Sequence, residues 1–283
     1  MLVSHIFDLV PIWLLLLGTI LLMVLFIEYG FRLGQKALAS SKKTQTAQVR
    51  AIMGAGLGLL AFMLAFTFST AQTHFETRVQ SLAEEARIAR NAFMQADLLA
   101  EPERSQAKQL LKDYINVRSG LQEMSGQNIS EQLAELVRVS EQIQQDLWSL
   151  ATRGHGKVVG DRADNGQSEL FMASVIALTD IHFTRLHSAV MNRIPFTIWM
   201  TLYLMAILSM IIMGYQAGLT DRRSPVATVT LAVAFSAVII LITDLDRPVM
   251  SFFEINKQLL VDLNEYMEAD LSLEYYPGDQ GSN

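Results

Sequence analysis

The chain has 283 residues, 51% of them hydrophobic and 18% charged, with a formal net charge of −6. That balance is too apolar for an ordinary soluble domain of this size, and the acidic excess gives no electrostatic case for a nucleic-acid partner. The absence of cysteine excludes disulfides, thiolate metal sites and cysteine nucleophiles.

In chain order, four windows are apolar for about 20 residues, the length of helix a bilayer requires. The first, residues 10–27, reads VPIWLLLLGTILLMVLFI. It is too long for a signal-peptide core and no basic region precedes it, so it is expected to be a retained span. The second covers 51–71, the third 195–218 and the fourth 225–242. Pro195 and Pro225 open the last two, where a proline costs a helix nothing.

Lysine and arginine in short loops set orientation. Arg32, Lys36, Lys42, Lys43 and Arg50 lie between the first two spans, and no Asp or Glu occurs from Tyr29 to Phe75. Arg222 and Arg223 lie between the last two. Both connections read as cytoplasmic. The termini and residues 72–194 are then expected on the outer side, the periplasm if this is a bacterial inner-membrane protein.

Residues 72–194 are polar and helically patterned. No proline lies between Ala51 and Leu99 and no glycine after Gly58, while Val79, Leu82, Ala86, Ala89, Phe93 and Ala96 recur at helical spacing. One helix of roughly 45 to 50 residues is expected to continue from the second span, about 70 Å long, with Pro102 at its end. Further helices are expected at about 103–123, 130–151 and from Ser168 to Pro195, where the last feeds the third span. The stretch RGHGKVVGDRADNGQ, 153–167, reads as a loop. An amphipathic helix is expected at about 252–273, in a tail with seven acids and one lysine from Glu254 onward. The predicted fold is an all-α integral membrane protein, with four transmembrane helices and a helical extramembrane bundle continuous with the second and third spans. The segments are 1–50, first span and basic loop; 51–71, second span; 72–194, helical domain; 195–247, hairpin of spans; and 248–283, acidic tail.

Three constellations stand out. Gly54, Gly58, Phe62, Phe66 and Thr70 recur every four residues along the second span. Gly54 and Gly58 form a close-approach motif for helix packing in lipid. If several copies surround an axis, rings of Phe62 and Phe66 form a hydrophobic constriction of the kind that gates by dewetting, with Thr67, Ser69, Thr70 and Thr73 easing rehydration beyond it. Asp244, Asp246 and Arg247 follow the uncharged fourth span. Adjacent residues point apart on a helix, so Asp246 and Arg247 each need a partner elsewhere, on the helical domain or another subunit. Glu84, Glu85, Arg87 and Arg90 read as a solvated face with local pairs. His182 and His187, five apart, do not share a face as zinc ligands do, and no catalytic set or cofactor motif is present.

The segments GLGLLAFMLAFTFSTAQTHFETR and EEARIARNAFMQADLLAEPERSQAKQLLKDYINVR, with DLDRP after the last span, resemble in order the bacterial bestrophin-like family, over about residues 50–255. The family pattern after DLDRP carries a glycine, here Ser251, and a later proline, missing near Leu259. The resemblance implies kinship with bestrophins, homopentameric anion channels whose second span lines the pore. Their hydrophobic neck would fall here on Gly58, Phe62 and Phe66, with Gly58 making one ring wider. Bestrophins hold their helical domain and termini in the cytosol, opposite to the charge reading, and their calcium site has no residue-by-residue match in this tail. The resulting expectation is a homo-oligomeric, pentameric channel, not an enzyme and without a cofactor. Its partners are the bilayer, further copies of itself and small inorganic ions, anions favoured. A non-conducting scaffold or sensor, whose helical domain binds a partner, is the competing class.

Overall fold

The structure, a computed structural model, describes residues 10–40, 46–120, 129–156, 162–191, 193–220, 225–247 and 258–275. Its regular elements are α1 (Ile12–Ala39), α2 (Thr46–Ala96), α3 (Glu103–Gly120), α4 (Ile129–Gly156), α5 (Arg162–Met191), α6 (Phe196–Thr220), α7 (Pro225–Asp246) and α8 (Gln258–Tyr275). No strand occurs among the described residues. α1, α2, α6 and α7 are long and apolar enough to cross a membrane, so the protein is an all-helical integral membrane protein. Helices suit this role because every interior backbone group is bonded within its own element.

α2 is one uninterrupted helix of 51 residues, about 77 Å long at about 1.5 Å per residue. The run without proline or late glycine accounts for its length. It ends in a tightened turn, with Asp97, Leu98 and Leu99 N–H groups donating to carbonyls three residues back. Arg104 Nε donates to the Leu99 carbonyl at 3.1 Å, satisfying an acceptor that the helix end leaves open. Pro102, after a cis Glu101–Pro102 bond, starts the next turn, and Gln106 N–H donates to its carbonyl at 3.3 Å.

Contacts divide the chain into two compact units, one of residues 3–76 with 192–253 and the other of 77–191 with 254–283. The first contains the four apolar helices. Its tightest contact joins α1 to α6. A Cβ added at Gly30 would fall onto the carbonyl of Ile211, and one at Gly34 onto that of Tyr215. In return, a Cβ at Gly214 would meet the Ile27 carbonyl, and one at Gly218 that of Phe31. The contacts advance in the same direction on both helices, so α1 and α6 run parallel and their C-terminal ends lie on one side. Both carry a glycine pair four residues apart, which lets backbones meet in lipid. Met23, Leu60, Leu202, Met210, Ala232 and Ile239 fill the core around this seam.

The second unit packs the small face of α2, Ala86, Ala89, Ala92 and Ala96, against larger side chains such as Leu111, Ile115, Leu147 and Phe171. The acidic α8 is fastened to it by Lys108. The Lys108 ammonium is 5% exposed and sits 2.8 Å from Asp270 Oδ2 and 2.5 Å from Asp97 Oδ1. Burial pulls the Lys108 pKa down, but the two carboxylates outweigh it and hold it above the usual lysine range. Tyr266 of α8 adds an edge contact to Phe93, with Arg90 over its ring.

Two boundaries differ from the sequence reading. α4 continues to Gly156 and α5 begins at Arg162, so most of the expected 153–167 loop is helical and only 157–161 lies outside the described residues. The expected turn at 125–128, Ser251 and the final residues 276–283 also lie outside them.

The glycine seam is expected to be intolerant. Gly214→Ala should lower the stability of the purified protein by about 3 kcal/mol through forced overpacking. Gly18→Ala, where an added Cβ meets nothing within 4 Å, should leave it unchanged. Thermal unfolding in detergent reads both, and equal midpoints for the two variants would contradict the seam.

Candidate conduction face and the buried charge clusters

Within the first unit α2 has two distinct faces. Leu60, Leu64, Thr67 and Ala71 are buried against the other helices. On the opposite side Phe62 and Phe66 are 66% and 59% exposed, and Gly58 and Ser69 are exposed with them. Gly54 and Gly58 have no atom of another helix within 4 Å. The close approach in the protomer is made instead by Gly30 and Gly34 with Gly214 and Gly218, two motifs the sequence reading passed over. Thr70 is half-buried, and its hydroxyl donates to the Phe66 carbonyl at 3.1 Å. Thr73 donates likewise to Ser69 at 2.9 Å, and Thr67 to Met63 at 2.7 Å. These hydroxyls spend their protons on their own helix, so Thr70 and Thr73 can wet the surface without offering an anion a donor.

The uncovered faces of the other spans have a different composition. α1 exposes Trp13, Leu17, Leu21, Leu25 and Tyr29; α6 exposes Met200, Leu204 and Leu208; α7 exposes Val226, Val229 and Val233. Large aliphatic side chains of that kind suit hydrocarbon. The exposed face of α2 instead sets Gly54, Ala55, Gly58, Ala61, Ala65, Ser69 and Thr73 among Ile52, Leu59, Phe62 and Phe66. Small and hydroxyl residues fit helix approach or water better than lipid.

Asp244, Asp246 and Arg247 are buried, at 3%, 9% and 5% exposure. The Ile194 N–H, just before α6, donates to Asp246 Oδ1 at 2.9 Å. Arg247 Nη2 donates to the Val10 carbonyl, just before α1, at 2.7 Å. The charges thus hold backbone groups at the starts of two helices and the end of α7, all within one protomer. They give polar backbone outside the helices the partners that lipid cannot supply.

The second unit contains a buried polar layer that the sequence did not advertise. Glu84 and Arg87 form the expected exposed local pair, but Glu85 is 0% exposed. Its carboxylate accepts from the Tyr114 hydroxyl and from Arg118 Nη2, the latter at 3.2 Å. Arg185 forms a second ion pair with the same carboxylate. Tyr114 also meets His182 Nδ1 at 3.3 Å, and Gln144 lies beside the Tyr114 hydroxyl. Four helices, α2 to α5, therefore contribute to one layer. Burial holds the Arg185 pKa down to about 10 and lowers that of Arg118. Burial, and then the Arg118 charge, lowers the His182 pKa to about 4, so its imidazole is neutral near pH 7. Among the described residues no three His, Asp or Glu side chains converge as metal ligands.

A pH dependence follows from His182. The folded value lies below the ordinary one, so the unfolded chain binds the proton more tightly. Stability is fully present above about pH 6.5 and falls as pH drops toward 4. His182→Gln should flatten that decline by up to about 1.4 kcal/mol per pH unit. Unfolding midpoints of both proteins from pH 4 to 7 read the difference, and parallel curves would refute the assignment.

Comparison with known proteins agrees with this architecture. A crystal structure described simply as that of a membrane protein matches with a TM-score of 0.54 at 14% identity, over 92% of this chain and 98% of its own. That similarity speaks to the fold. No curated protein shows significant sequence similarity. The sequence model of the bestrophin-like domain matches residues 12–259, from the start of α1 into α8. With nearly the whole chain matched, this protein belongs to the bestrophin-like family.

Proposed function

We propose that the protein is a homo-oligomeric ion channel, pentameric and anion-conducting by its family's example, with α2 lining the path. The observation that carries this reading is the contrast between exposed faces. α1 and α6 present mainly leucine and methionine and α7 valine among alanines, whereas α2 sets glycine, alanine, serine and threonine around two phenylalanines, with Ile52 and Leu59 toward its start. In a ring of copies Phe62 and Phe66 form the neck, and Gly58 makes a wider turn before it. Ser69, Thr70 and Thr73 give the path a wettable continuation. Gly54 and Gly58 also permit close approach between neighbouring α2 helices.

Asp244, Asp246 and Arg247 serve as braces that fix the helices around α2 rather than as ion ligands, because their exposure is low and their partners include backbone groups. The basic connections follow the C-terminal ends of the parallel helices α1 and α6. That supports a single cytoplasmic side for both connections in a bacterial inner membrane, with residues 72–194 and both termini periplasmic.

Anion flux from liposomes containing the purified protein tests the reading. The Phe62→Ala/Phe66→Ala double variant should conduct severalfold faster than the natural chain, because a wider neck is easier to wet. If both match empty liposomes across several salts, the channel reading is wrong and a scaffold that binds a partner through its helical unit takes its place.

A further inference from the structure

The buried layer around Glu85 is unbalanced in charge. One carboxylate, Glu85, faces two guanidinium groups, Arg118 and Arg185. Tyr114 consumes part of the same carboxylate's accepting capacity. His182 is neutral near pH 7 and offers no compensating charge. Among the described residues the layer therefore carries one positive charge in excess, with Glu85, Arg118 and Arg185 0%, 4% and 20% exposed. An uncompensated buried ion is among the most costly features a fold can retain.

The hydrogen bonds are unbalanced in the same sense. Gln144 is 7% exposed, and its Nε2 lies beside the Tyr114 hydroxyl without a well-formed hydrogen bond among the described residues. Arg118 Nε and Arg185 Nη1 touch Glu85 as ion pairs but make no well-formed hydrogen bond. Buried donors without acceptors are rare in folded proteins and mark a missing partner. Of the four buried polar atoms of the layer without a well-formed hydrogen bond, three are donors, on Gln144, Arg118 and Arg185, and the fourth is His182 Nε2. Donors and positive charge are in surplus together, so the missing partner is an acceptor with a negative charge. The Arg185 side chain, 20% exposed, gives the layer its opening to solvent.

We propose that this layer is a binding site for a small inorganic anion, held by Arg118, Arg185 and the Gln144 amide against the fixed Glu85–Tyr114 pair. The site lies within the second unit and does not rest on the channel reading. Chloride-class ions and small oxyanions share the required chemistry. The four-helix layer would bind either as a stabilising ligand, so anion occupancy sets the stability of the second unit.

The test uses the full-length protein in detergent, prepared in gluconate and titrated with bromide or with sulfate at constant ionic strength. The unfolding midpoint of the natural chain should rise saturably, by about 3 °C or more. The anion that saturates at lower concentration identifies the class. Arg185→Gln leaves one guanidinium per carboxylate. It should be at least as stable as the natural chain in gluconate and insensitive to either anion. Phe62→Ala/Phe66→Ala should keep the full response, which separates this site from the path along α2. Loss of stability of Arg185→Gln in every salt, or an unsaturable response common to both anions, would overturn the site. Should the variant not fold, anomalous scattering from bromide-soaked crystals of the natural chain decides. A peak within hydrogen-bond reach of Gln144 and Arg185 supports the proposal, and a water molecule alone in the layer defeats it.

Discussion

Gly214 rests on the backbone of α1 at Ile27, and Gly30 rests on α6 at Ile211. That reciprocal contact is the constraint from which the membrane unit follows. Lipid offers no hydrophobic gain for bringing helices together, so association depends on van der Waals contact, hydrogen bonds and close backbone approach. Two glycine pairs supply that approach once, between α1 and α6. α2 joins the same core by its Leu60, Leu64 and Ala71 face, and the Ser209 hydroxyl donates to the Gly56 carbonyl at 3.3 Å. The opposite face of α2 is thereby left without a partner among the described residues of the protomer. Its composition distinguishes it from the faces that meet lipid, and the functional reading grows from that.

The two units hold together by different means. In the membrane unit the polar groups that matter are few and bind backbone at helix ends, as Asp246 does for Ile194 and Arg247 for Val10. In the second unit, alanines on α2 give a close-packed core, and charges are sunk into it. Lys108 is gripped by Asp97 and Asp270, whereas Glu85 is shared by two arginines. The first cluster has acids in excess and faces partly outward. The second has bases in excess and opens to solvent only at Arg185 among the described residues, which makes it the more demanding electrostatically.

Much of this was legible in the sequence because the signals were strong and one-dimensional. Twenty apolar residues without charge can only be a span or a deep core helix, and 38 residues from Leu59 to Ala96 without a breaker read as one helix. The exposed Glu84–Arg87 pair followed from spacing alone. What the sequence hid depends on which face of a helix meets which neighbour. Glu84 and Glu85 differ by one position, yet about 100° of rotation places one in water and the other in the core. Gly30 and Gly34, like Gly214 and Gly218, form the same motif as Gly54 and Gly58. Only the packing partner tells which pairs are used within a protomer. The glycines at 154 and 156 suggested a loop but fell within the last turn of α4, where helices commonly end on glycine.

The central claim is that the uncovered face of α2 meets water along a path and not lipid. The natural chain has no cysteine, so single cysteines report on their own surroundings without background. Ser69→Cys on α2 and Leu17→Cys on α1, where Leu17 is 57% exposed, can be treated in intact proteoliposomes with a charged thiol reagent that reacts only where water admits it. The account predicts labelling at Ser69→Cys and protection at Leu17→Cys. Equal protection at both positions would place the α2 face in lipid or in a dry contact and contradict the account.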